Sequence, residues 1–225
     1  LGRPGRRRQR RMVSPTTLCL VRHGETAWNA ERRLQGHLDI PLNDRGEVQA
    51  RDTAAVLTRH RFAAAYASDL LRARQTARAT AEALSLEVVA DSRLRERHYG
   101  LFQGLTYEEA QARHPQEYAR FLARDPDFVF PGGGESLAVF AGRIRDALLA
   151  IARRHPGEQV LVVTHGGVLD IARRLATGKP LDTARDFAIP NAALNWLEIA
   201  GDRWRLVSWA DQSHLDCARD ELSNA

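Results

Sequence analysis

Apolar residues follow two alternating patterns along the chain. Near-continuous apolar runs, such as 18–21 and 159–164, are typical of short strands that are buried on both faces. Elsewhere apolar residues recur every three or four positions, as over 137–154, which predicts an amphipathic helix. The same two patterns predict strands at 62–69, 86–91, 192–200 and 203–210, and helices from Asn43 or Asp44 onward and at 70–84, 107–113, 115–124 and 168–176.

Strands that alternate with helices predict an α/β protein, here a three-layer α/β/α sandwich with a largely parallel central sheet. A chain of 225 residues is long enough for one such domain. We expect the domain to span 13–225, after a basic tail at 1–12 and with a substrate-loop insertion at about 97–134, where the periodicity loosens. Sheets of this kind bind ligands beyond the carboxyl ends of their strands.

Two of the predicted strands end in the same unusual way, on a histidine followed by glycine. The first strand runs into VRHG, which contains His23, and the strand at 159–164 runs into VTHGG, which contains His165. Because parallel strands end at one edge of a sheet, both histidines are expected to face one site.

The residue types near these strand ends suit phosphate chemistry. Neutral imidazole is a competent nucleophile near pH 7, and Arg22 beside His23 offers a forked donor that matches phosphate oxygens. Arg72 is expected in the first turn of a helix, where free N–H groups favour anions, and Glu96 lies in a loop among arginines. Each residue alone is better explained as an ordinary surface or sheet-edge group. Their convergence with His165 would make a phosphoryl-transfer site.

Six segments in order carry a resemblance to a known family: LVRHGETAWN, PLNDRG, ASDLLRARQTA, LRERHYGLFQG, PGGGES and VTHGG. Together they resemble the histidine phosphatase superfamily, also called phosphoglycerate mutase-like, from about Thr17 to Trp209. The resemblance implies that His23 becomes a phosphohistidine and that Glu96 is the general acid and base. Further positions that it implies are Arg22, Arg72, His165, Asn29 and Gly166 for phosphate binding, and Gln35, Gly36 and Tyr99 for substrate binding.

The resemblance also implies a histidine acid-type phosphatase or related phosphotransferase that needs no cofactor and no metal. Arginines and protonated imidazole would supply the positive charge that a metal supplies elsewhere. In agreement, the sequence contains no HExxH segment, no paired cysteines and no acidic metal cluster. The expected partner is a small phosphorylated metabolite, with the oligomeric state left open and a homodimer among the options.

Phosphatases and cofactor-dependent phosphoglycerate mutases share this pocket, so the surrounding loop has to distinguish them. The mutases carry a substrate-gripping lysine where this chain has Tyr107, and the only lysine here, Lys179, lies far along the chain. Arg120 and Arg124 are single cations near the position of a later arginine pair in the mutases. We therefore predict a metal-independent phosphomonoester hydrolase of the phosphatase branches, with the mutase as the alternative.

Composition and charge change this picture little. With 44% hydrophobic and 27% charged residues the chain is typical of a globular protein, and no apolar run is long enough to cross a bilayer. The chain has a net charge of +5, and the six arginines within residues 1–11 alone contribute more positive charge than this. The remaining domain is therefore not basic. A nucleic-acid-associated protein that acts through this Arg-rich tail remains an alternative, although the tail contains no aromatic residue.

The two cysteines, Cys19 and Cys217, belong to no CxxC segment and are expected to be isolated thiols. Together with the missing apolar segment of a signal peptide after the basic residues, this predicts a cytoplasmic location. A membrane partner is not expected.

Overall fold

The structure, a computed structural model, describes residues 14–216 and 218–220. Its strands are β1 (Thr16–Arg22), β2 (Ala64–Ala67), β3 (Val88–Ala90), β4 (Gln159–Thr164), β5 (Leu194–Ala200) and β6 (Arg203–Asp211). Its α-helices are α1 (Ala27–Ala30), α2 (Asp44–Leu57), α3 (Leu71–Leu84), α4 (Tyr107–Arg113), α5 (Pro115–Leu122), α6 (Leu137–Arg154) and α7 (Gly166–Thr177). Two short 3₁₀ helices, Ser92–Leu94 and Gly100–Phe102, lie between β3 and α4.

One six-stranded sheet organises the molecule, in the strand order β3-β2-β4-β1-β5-β6. The pairs β2–β3, β2–β4 and β1–β4 are parallel, whereas β1–β5 and β5–β6 are antiparallel. The predicted α/β class with a largely parallel sheet is therefore confirmed. Because β1 and β4 are adjacent and parallel, their carboxyl ends lie side by side.

Apolar clusters on the two faces of the sheet produce the three layers. Alternate residues of each strand point to opposite faces, so Leu18 and Leu20 of β1 pack with α6 and α7. Cys19 and Val21 of the same strand pack on the other face, among residues of α2 and α3. Cys19 is a free thiol, as predicted, and burial raises its pKa, which disfavours the reactive thiolate.

The segment between β3 and α6 builds a separate aromatic cluster. Tyr99, Phe102, Tyr107 and Phe130 are buried in it together with Leu34, which follows α1. The backbone of Leu34 accepts from the Gly104 N–H at 2.8 Å and donates to the carbonyl oxygen of Leu105 at 2.9 Å. These contacts hold the segment over the loop that follows β1. The predicted insertion bounds of about 97–134 fall within it and stay a prediction.

The boundaries differ from the sequence prediction in two instructive places. The strand predicted at 62–69 is shorter and spans Ala64–Ala67, while Phe62 before it packs in the apolar cluster of α2 and α3. Helix α1 was not predicted, since a single turn is too short to show a periodicity. The Thr26 hydroxyl caps the start of this turn by accepting from the Asn29 N–H. The side-chain oxygen of Asn29 accepts in turn from the Thr26 N–H.

Within 14–216 and 218–220, no helix is long and apolar enough to cross a membrane. The predicted tail at 1–12 and the thiol of Cys217 lie outside the described residues.

Candidate active site

The adjacent ends of β1 and β4 bring the two predicted histidines together. Arg22 is paired with Thr164 in the sheet, and the His23 N–H donates to the Thr164 carbonyl oxygen at 2.9 Å. The rings of His23 and His165 consequently lie 5.3 Å apart between centroids, inclined by 60°. Both side chains are buried.

The surroundings of His23 define its charge and its tautomer. Burial, followed by the charges of Arg72 and Arg22, lowers the pKa of His23 well below the ordinary 6.5, so the ring is neutral at pH 7. Its Nδ1 lies 2.7 Å from the carbonyl oxygen of Gly24, which can only accept. Nδ1 therefore carries the proton, and Nε2 keeps the free lone pair that a nucleophile needs.

Glycine at position 24 is required by the close approach of another loop. A Cβ at this position would lie 2.5 Å from the carbonyl oxygen of Gly46, which is shorter than real Cβ contacts. The Gly24 N–H donates to the Thr76 hydroxyl at 2.9 Å, which ties the loop after β1 to helix α3.

Two buried arginines accompany His23. Arg72, in the first turn of α3 as predicted, donates through Nη1 to the carbonyl oxygen of Leu38 and through Nη2 to that of Gly36, both at 2.8 Å. Arg22 donates through Nη1 to the carbonyl oxygen of Ile189 at 2.9 Å. Burial lowers the pKa of Arg72 to about 10, so it remains charged at neutral pH. Its Nε is buried and, within the described residues, has no hydrogen-bond partner.

Glu96 is a buried carboxyl group held by two backbone donors. Its Oε2 accepts from the Gly167 N–H at 2.9 Å and its Oε1 from the Arg97 N–H at 2.8 Å. Burial raises the pKa of Glu96, and this effect outweighs the two N–H donors and the charges of Arg72 and Arg22, which lower it. A carboxyl group in this environment can hold a proton and release it, as a general acid and base must.

His165 occupies the start of α7, directly before Gly166. Its Nε2 lies 2.7 Å from the Ser68 hydroxyl, and its Nδ1 is buried without a hydrogen-bond partner in the part of the chain that is described. Burial, together with Arg72 and His23, lowers the pKa of His165 well below 6.5. Gly166 is buried in the first turn of α7, beside the histidine.

These groups surround a cavity that opens to solvent. The sequence-predicted residues that line it are Arg22, His23, Asn29, Gln35, Gly36, Arg72, Glu96 and Tyr99. The additional lining residues Arg33, Leu34 and Tyr107 were not among the predicted site residues. His165 and Gly166 do not line the cavity. The ring of His165 lies against that of His23, and Gly166 directly precedes Gly167, whose N–H donates to Glu96.

The side chains of Asn29 and Gln35, which both line the cavity, contact the same hydroxyl group, that of Thr26. The Thr26 hydroxyl lies 3.0 Å from Asn29 Oδ1 and 3.1 Å from Gln35 Oε1. Helix α1 thus positions both amide side chains at the cavity. Tyr99 is also buried at the cavity, and its burial raises the pKa of the phenol well above 10, so the hydroxyl is not ionised.

The structure adds supporting residues that sequence reasoning missed. Asn191 donates through Nδ2 to the His23 carbonyl oxygen at 2.9 Å, while its own N–H donates to the carbonyl oxygen of Arg219, also at 2.9 Å. The Ile189 N–H donates to Asp220 Oδ2 at 2.8 Å. No local pattern signals such contacts, because they join residues far apart in the sequence.

The two arginines compared with the mutase pair lie elsewhere. Arg124 is buried and its Nη2 lies 2.6 Å from Asp170 Oδ2, so it is not a solvated cation. Arg120 forms an ion pair with Asp125 at 2.5 Å. Neither arginine lines the cavity around His23, whereas Tyr107 does.

Among residues 14–216 and 218–220, no group of three or more His, Cys, Asp or Glu side chains is placed to hold a metal ion. The prediction that the reaction needs no metal stays a prediction.

A buried neutral histidine beside two arginines, a second histidine and a carboxyl group is an arrangement suited to phosphoryl transfer. Comparison with known proteins gives the class: residues 18–212 match the family model of the histidine phosphatase superfamily (branch 1). The chain belongs to this superfamily.

Individual relatives agree. Phosphoglycerate mutase-like protein 4 of Arabidopsis thaliana is 43% identical, over 91% of this chain and 89% of the relative. A metal-independent phosphoserine phosphatase of the same plant is 42% identical, over 89% of this chain and 83% of the relative. The solved structure of YhfR from Bacillus stearothermophilus is 34% identical and superposes with a TM-score of 0.82, covering 89% of this chain and 100% of YhfR. These similarities support a phosphatase of the histidine phosphatase type.

Proposed function

We propose that this chain is a metal-independent phosphomonoesterase that hydrolyses a small phosphorylated metabolite through a phosphohistidine at His23. The observation that carries the proposal is the convergence of His23, Arg22, Arg72 and Glu96 on one cavity, with His165 against His23. The pKa directions support it, because they favour a neutral nucleophile and a protonated acid.

In the first step, the Nε2 lone pair of His23 attacks phosphorus and the bond from phosphorus to the leaving oxygen breaks. The proton on Glu96 passes to that oxygen, so the product leaves as an alcohol. Arg22 and Arg72 stabilise the charge on the phosphoryl oxygens, the main protein contribution in such transfers. The proton of His23 stays on Nδ1, which donates it in a hydrogen bond to the Gly24 carbonyl oxygen. The phosphorylated ring is therefore cationic, and the negative phosphoryl oxygens balance its charge.

In the second step, water attacks phosphorus on the opposite side from Nε2, and the bond between nitrogen and phosphorus breaks. The Glu96 carboxylate takes one proton from this water and regains the form needed for the next turnover. Inorganic phosphate leaves, and the net reaction consumes one water for each phosphomonoester.

Hydrolysis is favoured over mutase action because an intermediate bisphosphate needs additional cationic contacts. Each charge-assisted hydrogen bond contributes about 1.5–3 kcal/mol. Here the cavity presents Tyr107 at the position of the mutase lysine, and Arg120 and Arg124 are paired with Asp125 and Asp170 away from it. Arg33, which also lines the cavity, is paired with Glu31 and Glu109. A second phosphate would therefore be bound weakly.

Phosphoserine is the first substrate to test, since the plant relative that is 42% identical is named for its hydrolysis. The panel should also include the monophosphoglycerates, sugar phosphates and nucleoside monophosphates, which present the same phosphomonoester group on different leaving groups.

The test measures phosphate release from this panel in the presence of EDTA, for the wild type, for His23→Ala and for His60→Ala. His60 packs against Trp196 with ring centroids 4.7 Å apart and serves as a matched histidine control outside the cavity. We expect release by the wild type and by His60→Ala, and none above background by His23→Ala. Undiminished release by His23→Ala would overturn the proposal.

Two further assays separate the alternatives. Interconversion of 2- and 3-phosphoglycerate that depends on 2,3-bisphosphoglycerate, without net phosphate release, would identify a mutase instead. Salt-sensitive nucleic-acid binding that disappears when residues 1–11 are deleted, in a protein without phosphatase activity, would favour the role of the Arg-rich tail.

A further inference from the structure

The second histidine of the site has a hydrogen-bond partner that the predicted mechanism does not use. Ser68 lies at the carboxyl end of β2, immediately beyond Ala67, and is completely buried. Its Oγ lies 2.7 Å from Nε2 of His165. The Ser68 N–H donates to the Val163 carbonyl oxygen at 3.0 Å, which extends the pairing of β2 with β4 and fixes the serine backbone.

The direction of this hydrogen bond follows from the donors and acceptors around the hydroxyl. The Leu70 N–H already donates to Ser68 Oγ at 3.3 Å. Across the described residues, His165 Nε2 is the one acceptor recorded for the proton of this buried hydroxyl. If Nε2 itself carried a proton, two donors would point at Ser68 Oγ and the hydroxyl proton would be left without a partner. The serine must therefore donate and Nε2 accept.

A neutral imidazole has one N–H, so an accepting Nε2 places that proton on Nδ1. Nδ1 of His165 is buried and unpaired within 14–216 and 218–220, while its ring lies 5.3 Å from the ring of His23. A buried donor without a partner, beside the nucleophile, is suited to a ligand oxygen.

We propose that Ser68 is a positioning residue that fixes neutral His165 in the Nδ1–H tautomer, so that Nδ1 donates a hydrogen bond to the transferring phosphoryl group. The inference extends the proposed function by assigning how His165 assists it. On this account His165 acts as a donor without having to be protonated, in contrast to the imidazolium that the family resemblance implies. Burial beside Arg72 and His23 favours the neutral form in the free enzyme.

The direct test is the tautomer itself, measured on the wild-type protein labelled with ¹⁵N-histidine. Long-range ¹H–¹⁵N correlation distinguishes a protonated ring nitrogen from an unprotonated one, and His165→Asn identifies the resonances of His165 among eight histidines. We expect a protonated Nδ1 and an unprotonated Nε2. A neutral His165 with its proton on Nε2, or an imidazolium at pH 7, would overturn the proposal.

A kinetic test compares Ser68→Ala, Ser68→Thr and Thr16→Val. Thr16 is a matched control because it is another buried hydroxyl of the sheet, bonded to the carbonyl oxygens of Ala152 and His155 away from the cavity. We expect Ser68→Ala to lose about 10- to 100-fold in kcat with little change in KM, which is less than the loss of a donor altogether. Ser68→Thr should retain most of this activity, and Thr16→Val should retain all of it.

Equal kcat values for Ser68→Ala and the wild type would contradict the positioning role. The NMR result does not depend on turnover, so it distinguishes this inference from the proposed function. If the Nδ1–H tautomer is observed while His23→Ala remains active, the phosphatase mechanism fails and the tautomer assignment stands.

Discussion

The ends of β1 and β4 make an informative comparison, because each places a histidine before glycine at the same edge of the sheet. At the end of β1, Nδ1 of His23 meets a backbone carbonyl oxygen, which leaves the Nε2 lone pair free. At the end of β4, Nε2 of His165 meets the Ser68 hydroxyl instead. His23 and His165, at the ends of neighbouring strands, therefore differ in which ring nitrogen is free, because each ring has a different hydrogen-bond partner.

The backbone after each histidine differs as well. His23 leads into a loop that is held by Gly46 and Thr76, whereas His165 leads directly into α7. The first turn of α7 supplies the Gly167 N–H to Glu96. On the proposed mechanism, the β1 end presents the group that reacts, and the β4 end organises the donor and the acid around it.

The largest effect is expected at the β1 end. His23→Asn removes the attacking nitrogen, so phosphate release should fall by about 10⁴-fold or more. Steady-state phosphate release measures the loss, and circular dichroism checks that the variant is folded. A loss below tenfold would show that the reaction does not pass through His23.

Glu96→Gln removes the acid but keeps its shape, and should cost about 10²- to 10⁴-fold with phosphoserine. The loss should be much smaller with p-nitrophenyl phosphate, whose leaving group needs no proton. Measuring kcat/KM for both substrates checks this difference. Equal losses with the two substrates would contradict the role of Glu96 as general acid.

The pH profile of activity tests the protonation states of His23 and Glu96. The proposed mechanism requires neutral His23, whose lowered pKa would set the acid limb, and protonated Glu96, whose raised pKa would set the alkaline limb. We therefore expect a bell-shaped profile of kcat/KM that falls as pH rises through the Glu96 pKa. In Glu96→Gln the alkaline limb should disappear, and its persistence there would assign that limb to another group.

At the β4 end, His165→Asn should lower kcat by about 10²- to 10³-fold, the usual cost of removing one donor to a transition-state oxygen. Unlike His23→Asn, this variant should still form the phosphoenzyme, only more slowly. Rapid-quench measurement of enzyme-bound phosphate distinguishes the two variants. Complete absence of the phosphoenzyme in His165→Asn would remove the distinction between the two strand ends.

Gly167→Ala tests the positioning of the acid. The added Cβ would lie 2.2 Å from Glu96 Oε1, so the carboxyl group has to move. We expect a loss of about 10- to 100-fold in kcat, in line with the sensitivity of such sites to displacements near 1 Å. Gly142→Ala, where a Cβ meets nothing within 4 Å, is the matched control and should be unaffected.

The smallest effect is expected for Asp220→Asn, which weakens the contact with Ile189 and the ion pair with Arg185. Ile189 in turn accepts from Arg22, so we expect a several-fold rise in KM, with kcat nearly unchanged. Asp146→Asn, in an exposed ion pair with Arg145, provides the control. Identical KM values for both variants would show that this segment has no influence on the site.

The sequence predicted the parts of this molecule that depend on local pattern. Apolar runs located β1 and β4, and the residue types after them indicated where phosphate chemistry would occur. Several residues that line the cavity were predicted through short segments such as LVRHGETAWN and LRERHYGLFQG, whereas His165 and Gly166 of VTHGG adjoin it. Each of these signals occupies neighbouring positions along the chain, which is why they can be interpreted without a structure.

The supporting contacts could not be predicted in this way. Ser68 was part of an expected strand, and nothing in ASDLL indicates that its hydroxyl meets His165, 97 residues later. Asn191 and His23 are separated by 168 residues, and their contact depends on how β5 returns beside β1. The sequence shows Arg124 only as a single cation, because its partner Asp170 lies 46 residues away on another helix. Such pairs arise from packing, which has no periodicity along the chain.

The central claim is that His23 carries the phosphoryl group during turnover. The most direct measurement is to mix the enzyme with excess phosphoserine, or with the best substrate of the panel, and quench it in alkali, where phosphohistidine survives. Peptide mapping by mass spectrometry then locates the phosphate. The account predicts one phosphate on His23, absent from His23→Asn and accumulating in Glu96→Gln with p-nitrophenyl phosphate. Phosphate on another residue, or turnover without any phosphoenzyme, would contradict it.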